Sequence, residues 1–113
     1  MVRRGEIYYV DWSIGRGSEQ AGNRPALVIQ NDTGNQFSPT TIIAAISTQR
    51  RQPYPFQVLV MGDESGLTQT SVIKCEQIQT IDQGRLGRLI GTLSGDRMNE
   101  VDLALHRSLG LEH

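Results

Sequence analysis

Cysteine, histidine and lysine are nearly missing from this chain of 113 residues, and each shortage closes off a class of chemistry. Cys75 is the single cysteine, so no disulfide forms within the chain, which fits a reducing, cytoplasmic setting. It lies in an apolar stretch and reads as a small core residue. The two histidines are His106 and His113. The second belongs to Leu111-Glu112-His113, which reads as the remnant of a cloning site and tag, leaving residues 1–110 as one domain. With only His106 left, on a predicted helix, a pair of histidines working as acid and base is excluded. No Cys or His cluster has metal-ligand spacing, and there is neither a phosphate-binding loop nor a dinucleotide fingerprint. The expectation is a protein without metal or cofactor. No apolar run reaches membrane length and no secretory leader is legible, so a membrane partner is not expected.

Net charge is nearly absent too, with 11 basic residues against 12 acidic ones. Bulk attraction therefore cannot gather a polyanion, and any anion site must be a local cluster. The basic set is lopsided: ten are Arg and Lys74 is the only lysine. Arginine presents a planar fork that matches phosphate and stacks on bases. The imbalance leans toward phosphate recognition, although a coding bias of the genome produces the same excess.

What is present is a series of short, β-rich segments. Gly5 to Trp12 alternates, with Ile7 and Tyr9 on one side and Tyr8, Val10 and Trp12 on the other, and is predicted as a strand. A polar loop follows from Ser13 to Asn23, punctuated by Gly15, Gly17 and Gly22. Pro25 biases Arg24 toward extended geometry and opens a strand through Gln30. Asn31 to Asn35 is turn-rich. Thr41 to Ile46, Phe56 to Met61, Ser71 to Ile81 and Arg85 to Leu93 supply further strands. The period then changes: Met98, Val101, Leu105 and Leu109 recur at helical spacing, Ser94 is placed to cap, and Gly110 to stop. The fold class is mainly β (α+β): a small, strongly bent, partly open barrel of five to seven strands with a C-terminal helix.

With metals and histidine pairs excluded, the chemistry left is that of hydroxyls, amides, carboxylates and arginines at strand ends. Ser18, Glu19 and Gln20 lie in the loop before Arg24. Ser47, Thr48, Gln49, Arg50 and Arg51 follow the third strand. Glu76, Gln77 and Gln79 form a third group, and Tyr54 and Phe56 offer aromatic faces beyond the arginine pair. Single-stranded RNA suits this inventory: amides and carboxylates read base edges, arginines hold phosphates and aromatics stack.

Several of these segments together resemble the MazF/PemK-type toxins of toxin–antitoxin systems. They are Arg4-Gly5-Glu6-Ile7-Tyr8, Gly17-Ser18-Glu19-Gln20, Arg24-Pro25, Ile46-Ser47-Thr48-Gln49, Tyr54-Pro55-Phe56 and Glu76-Gln77-Ile78, in the same order and spacing from about Arg4 to Leu109. The resemblance implies a dimeric, SH3-like barrel and a metal-independent endoribonuclease that cuts single-stranded RNA at short sequences. It implies a cognate antitoxin as partner, disordered and acidic-hydrophobic, covering the Arg50-Arg51 loop. The family's invariant arginine falls on Arg24 and its catalytic hydroxyl on Ser47, where many relatives carry Thr; Thr48 is the neighbouring alternative. RNA contacts fall on Ser18, Glu19, Gln20 and Gln77. Ile14 stands where relatives often have Pro.

Without metal, the natural nucleophile is the 2′-hydroxyl of the RNA, attacking the adjacent phosphorus to leave a 2′,3′-cyclic phosphate and a 5′-hydroxyl. Arg24 meets the charge of the transition state and Ser47 donates a further hydrogen bond. Arginine stays protonated, so Glu19 is the candidate base or base-edge reader. Two other classes stand beside this one: a gyrase-poisoning module of the same fold, as in CcdB-type proteins, and a catalytically inactive RNA-binding protein.

Overall fold

Six segments become strands and pair into a single antiparallel sheet in the order β4-β5-β3-β2-β1-β6. The structure is a computed structural model that describes residues 1–11, 22–49 and 52–111. The strands are β1 (Glu6–Asp11), β2 (Asn23–Val28), β3 (Thr40–Thr48), β4 (Gln57–Val60), β5 (Ser71–Asp82) and β6 (Leu86–Thr92). Helix α1 spans Asp32–Phe37 and α2 spans Gly95–Leu109. Trp12 lies outside the described residues. Among them β4 and β6 do not pair, so the bent sheet stays open at that edge, as a partly open barrel requires.

The centre of the sheet is buried on both sides, because β-branched and small apolar residues alternate between two clusters. The first holds Ile7, Leu27, Ala44, Ile46, Ile73 and Cys75, and it takes Val101 and Ala104 from α2. The second holds Val10, Ala26, Val28, Ile43, Ala45 and Ile81 on the opposite face. Cys75 is fully enclosed, and burial pushes its thiol up to about 12, which keeps it protonated and inert. The alternation read in β1 follows the same division, with Ile7 in one cluster and Val10, flanked by Tyr8, in the other.

Helix α2 begins and ends where the sequence places its signals. The Ser94 hydroxyl accepts from the Arg97 N–H at 3.2 Å, and Gly110 turns left-handed at φ 71° to stop it. Val101 is buried and Met98 and Leu105 pack against the core, but Leu109 is 53% exposed and does not continue the stripe. Arg97 anchors the first turn, reaching Glu64 at 2.9 Å in the β4–β5 connection. Hydrogen bonds from Arg97 and from the Met61 N–H hold the Glu64 carboxyl below the usual carboxylate range.

Helix α1 is a departure from the sequence reading, which gives only a turn at residues 31–35. It is six residues long, too short to carry a hydrophobic period. Asn31 caps it by accepting from the Gly34 N–H at 2.7 Å, and Pro39 holds Ser38 extended so that the helix ends. Tertiary bonds stabilise it: the buried Asn35 amide donates to the Gln30 carbonyl at 3.0 Å, and its oxygen accepts from the Thr41 hydroxyl at 2.7 Å.

Candidate active site

The register between β2 and β3 decides which predicted site residues can meet. Ala26 lies opposite Ala45 and Val28 opposite Ile43, all four in the second core cluster. Continuing that register two residues along each strand brings Arg24 opposite Ser47 and on the same face, since alternate residues share a face. Arg24 is exposed and Ser47 half-buried at the open end of the sheet. Arg24 also faces Val10 on β1. Thr48 points the other way. It pairs with Ser71 on β5 and lines a cavity with Pro25 on the opposite face.

The same face carries a second row just behind this pair. Ala45 lies opposite Lys74, and Lys74 opposite Gln57 on β4. The only lysine of the chain therefore stands diagonal to Ser47, at roughly 7–8 Å by ordinary sheet geometry. The β3–β5 ladder then breaks: Ala44 pairs with Ile78, whereas Ala45 pairs with Lys74. Residues 75–77 bulge from the ladder, leaving Glu76 and Gln77 exposed beside the site while Cys75 turns into the core. Gln57 steadies this bulge. Its buried amide donates to the Glu76 carboxylate at 2.8 Å, and its oxygen accepts from the Tyr54 N–H at 3.2 Å.

Tyr54 and Phe56 are stacked on each other, with centroids 5.4 Å apart and planes 9° from parallel. Tyr54 is 56% exposed, so its outer face is open to a further ring. Gln49 is tied into the ladder end, its N–H donating to the Thr70 carbonyl at 3.2 Å. Arg24 and Ser47 thus lie at one end of β2 and β3, Glu76 and Gln77 bulge from β5 further along beside Ala44 and Ala45, and Tyr54 and Phe56 precede the opposite end of β4, whose Gln57 pairs with Lys74. Ser18, Glu19 and Gln20 lie outside the described residues, as do Arg50, Arg51 and Ile14.

Lys74 and Gln57 were not singled out from the sequence. Gln57 is the one polar residue in the apolar run 57–60, a signal that would have found it; Lys74 is conspicuous only as the sole lysine. Among the described residues Arg24 has no ion-pair partner, in contrast to Arg4 with Asp102 and Arg97 with Glu64 and Glu100. Its guanidinium is therefore not engaged by a carboxylate there. No group of three or more His, Cys, Asp or Glu side chains stands ready to share a metal ion among the described residues. What this face of β2, β3 and β5 gathers is the Arg24 guanidinium, the Lys74 ammonium and the Ser47 hydroxyl, with the Glu76 carboxylate and Gln77 amide on the neighbouring bulge.

A family model for PemK-like, MazF-like toxins of type II toxin–antitoxin systems matches residues 3–109. Among solved structures, an endoribonuclease in complex with its cognate antitoxin from a mycobacterial species is 26% identical at a TM-score of 0.84, with 100% of this chain and 99% of that one covered. The Mycobacterium tuberculosis toxin MazF-mt6 is 25% identical at a TM-score of 0.79, covering 96% and 99%. A chain of a MazE–MazF crystal structure from Deinococcus radiodurans shares the fold at 21% identity and a TM-score of 0.73, with 96% of this chain and 95% of that one covered. The order of strands, the capped terminal helix and a family match over nearly the whole length converge: the chain belongs to the PemK-like, MazF-like toxins of type II toxin–antitoxin systems.

Proposed function

We propose that this toxin is a metal-independent endoribonuclease that cuts single-stranded RNA, and so blocks translation and growth, with Arg24 and Ser47 as its reacting pair. The reading is supported by the register of β2 on β3, in which Ala26 lies opposite Ala45: carried two residues further along each strand, it sets Arg24 across from Ser47 on one face. Structures similar to this chain at 25–26% identity are named as an endoribonuclease and as a MazF toxin.

The chemistry follows from the groups. The 2′-hydroxyl of the substrate attacks the adjacent phosphorus, and the 5′ oxygen leaves as a hydroxyl once protonated. Negative charge gathers on the non-bridging oxygens. Arg24 meets it with two parallel N–H donors and Ser47 adds a third. Both stand on strands, which hold them in place before substrate arrives. Glu19 takes the 2′ proton or reads a base edge. Gln20 and Ser18 contact bases from the same loop. Glu76, held by Gln57, and Gln77 read base edges from the β5 bulge, and Tyr54 extends its stack onto a base. Arg50, Arg51 and Gln49 hold flanking phosphates or bases.

A free ribonuclease harms its host, so a cognate antitoxin covers the Arg50-Arg51 side and competes with RNA; the similar endoribonuclease is itself solved with its antitoxin. The toxin works as a homodimer in the cytoplasm. The test is cleavage of a short RNA with and without a single 2′-deoxy nucleotide at the cut, in excess chelator. Cleavage of the ribose substrate alone, with cyclic-phosphate ends, is expected; equal cleavage of the deoxy substrate would overturn the mechanism.

A further inference from the structure

Cleavage by the chemistry above needs a proton donor. The 5′ oxygen departs as a hydroxyl, so a group must hand it a proton as its bond to phosphorus breaks. Arg24 is unsuited, because a guanidinium keeps its protons at any ordinary pH. His106 stands on α2, whose Val101 and Ala104 pack on the other face of the sheet. Tyr8 shares the Arg24 face, opposite Ala26, but its hydroxyl already donates to the Glu6 carboxylate at 2.8 Å. An ammonium, unlike a guanidinium, does give up a proton, and the chain has one lysine.

Three observations single out Lys74. The first is position. Ala26, Ala45 and Lys74 form one cross-strand row, and Arg24 and Ser47 lie in the next row on the same face. The four-carbon stem of a lysine covers most of the diagonal to Ser47, roughly 7–8 Å, and about one hydrogen bond spans the rest. The second is that the ammonium is uncommitted. Among the described residues Lys74 makes neither an ion pair nor a hydrogen bond. The next carboxylate along β5, Glu76, is held instead by the Gln57 amide at 2.8 Å, and the Gln57 oxygen accepts from the Tyr54 N–H. Neither the carboxylate nor the amide beside Lys74 is spent on it. The third is confinement. The side chain is half-buried, flanked by the buried Ala45 and Val72, which limits where its head can go.

We propose that Lys74 is the catalytic residue that protonates the leaving 5′ oxygen. This rests on the ribonuclease reading above. In-line displacement sets the entering and leaving oxygens on opposite sides of the phosphorus. A phosphate held by Arg24 on β2 and Ser47 on β3 has β5 as the next strand outward, so a leaving oxygen on that side meets Lys74. The 2′ oxygen bonds to phosphorus and yields its proton to the base, the part given above to Glu19. The bond from phosphorus to the 5′ oxygen breaks, its electron pair stays on that oxygen, and a proton moves there from Lys74 Nζ. The products are the 2′,3′-cyclic phosphate and the 5′-hydroxyl, and the neutral amine regains its proton from water.

The test replaces the leaving atom. A short RNA containing the wild type's own cut site, mapped on a random pool, is made with the ordinary 5′ oxygen and with sulfur in its place. A thiolate leaves without a proton, so the sulfur form needs no acid. Single-turnover rates are measured for the wild type, Lys74→Met, Lys74→Arg and Arg24→Ala. Methionine keeps much of the stem, and arginine keeps the charge without a transferable proton. Both Lys74 variants should cut the oxygen form about a hundredfold more slowly and the sulfur form within a few-fold of the wild type. Arg24→Ala should stay slow on both. Recovery on sulfur also shows that the variants are folded, and a merely structural role would slow both forms alike. Equal losses on the two forms, or a Lys74→Arg protein near the wild-type rate on oxygen, overturn the proposal and leave the ribonuclease reading intact. A wild type that cuts neither form overturns that reading, and the proposal with it.

Discussion

Replacing Ser47 by Ala and Thr48 by Val separates two hydroxyls that neighbour each other in sequence and part in space. Ser47 lies on the face that holds Ala45 and, by continued register, Arg24; Thr48 pairs with Ser71 and lines the opposite cavity. Neither hydroxyl makes a hydrogen bond among the described residues, so neither change removes an internal bond, and stability should move by no more than about 0.5 kcal/mol. The rates should diverge. Loss of one preorganised donor to transition-state charge costs about 10² to 10³ in rate, or roughly 2.7–4 kcal/mol. Ser47→Ala should show that loss in single-turnover cleavage of a short RNA at saturating enzyme. Thr48→Val should keep its maximal rate within about threefold and lose, if anything, half-saturation, because a group that binds ground and transition states alike affects KM alone. Thermal midpoints of both proteins, measured alongside, show that the fold is retained. A larger loss of maximal rate in Thr48→Val than in Ser47→Ala would refute the assignment of faces.

Gly66→Ala should lower the thermal midpoint, since φ +84° is strained for alanine and the new Cβ meets the Ile90 carbonyl. At about 1–3 kcal/mol for such strain, and roughly 4–8 °C per kcal/mol for a domain near this size, a drop well above experimental scatter is expected; an unchanged midpoint means that the segment is not held against β6. The Glu64 carboxyl, held below its ordinary value of 4.5 by Arg97, favours the folded state when ionised. Its contribution is full above pH 4.5 and is lost as pH falls through the lowered value. Urea midpoints measured between pH 7 and pH 3 should therefore fall less steeply in Glu64→Gln than in the wild type, and identical slopes would count against the ion pair.

Much of the fold was legible because it rests on local alternation. Ile7 and Val10, Ala26 and Leu27, or Ala44 and Ala45 fall on opposite faces whatever the tertiary context, and the caps of α2 are single residues with single roles. Helix α1 was not legible, because it depends on bonds from Asn35 to Gln30 and Thr41, which only the folded chain brings together. Leu109 shows the converse: a residue at the right spacing stays exposed because the core ends a turn before it. At the candidate site, the grouping of Arg24 with Ser47 follows from register, which a sequence does not state. The β5 bulge that projects Glu76 and Gln77, the role of Gln57 beneath them, and the placement of Lys74 all depend on which strand lies beside which. The cavity behind Thr48 was hidden for the same reason: its lining comes from β1, β2, β3, β5, β6 and the segment between β4 and β5. Glu19, Arg50 and their neighbours were read from the sequence and lie outside the described residues.

Arg24 is proposed to act on the transition state through its planar fork. Arg24→Lys keeps the charge and loses the fork, an exchange that is not conservative at a bidentate phosphate site. The most direct measurement is the single-turnover cleavage rate, with RNA affinity measured on a 2′-deoxy analogue, for the wild type, Arg24→Lys and Arg24→Ala at two salt concentrations. If Arg24 acts so, the rate falls by about a hundredfold or more in both mutants, with affinity changed far less and no rescue at low salt. A lysine mutant within a few-fold of the wild-type rate, or one restored by lowering salt, would contradict it and make Arg24 a residue of long-range attraction only.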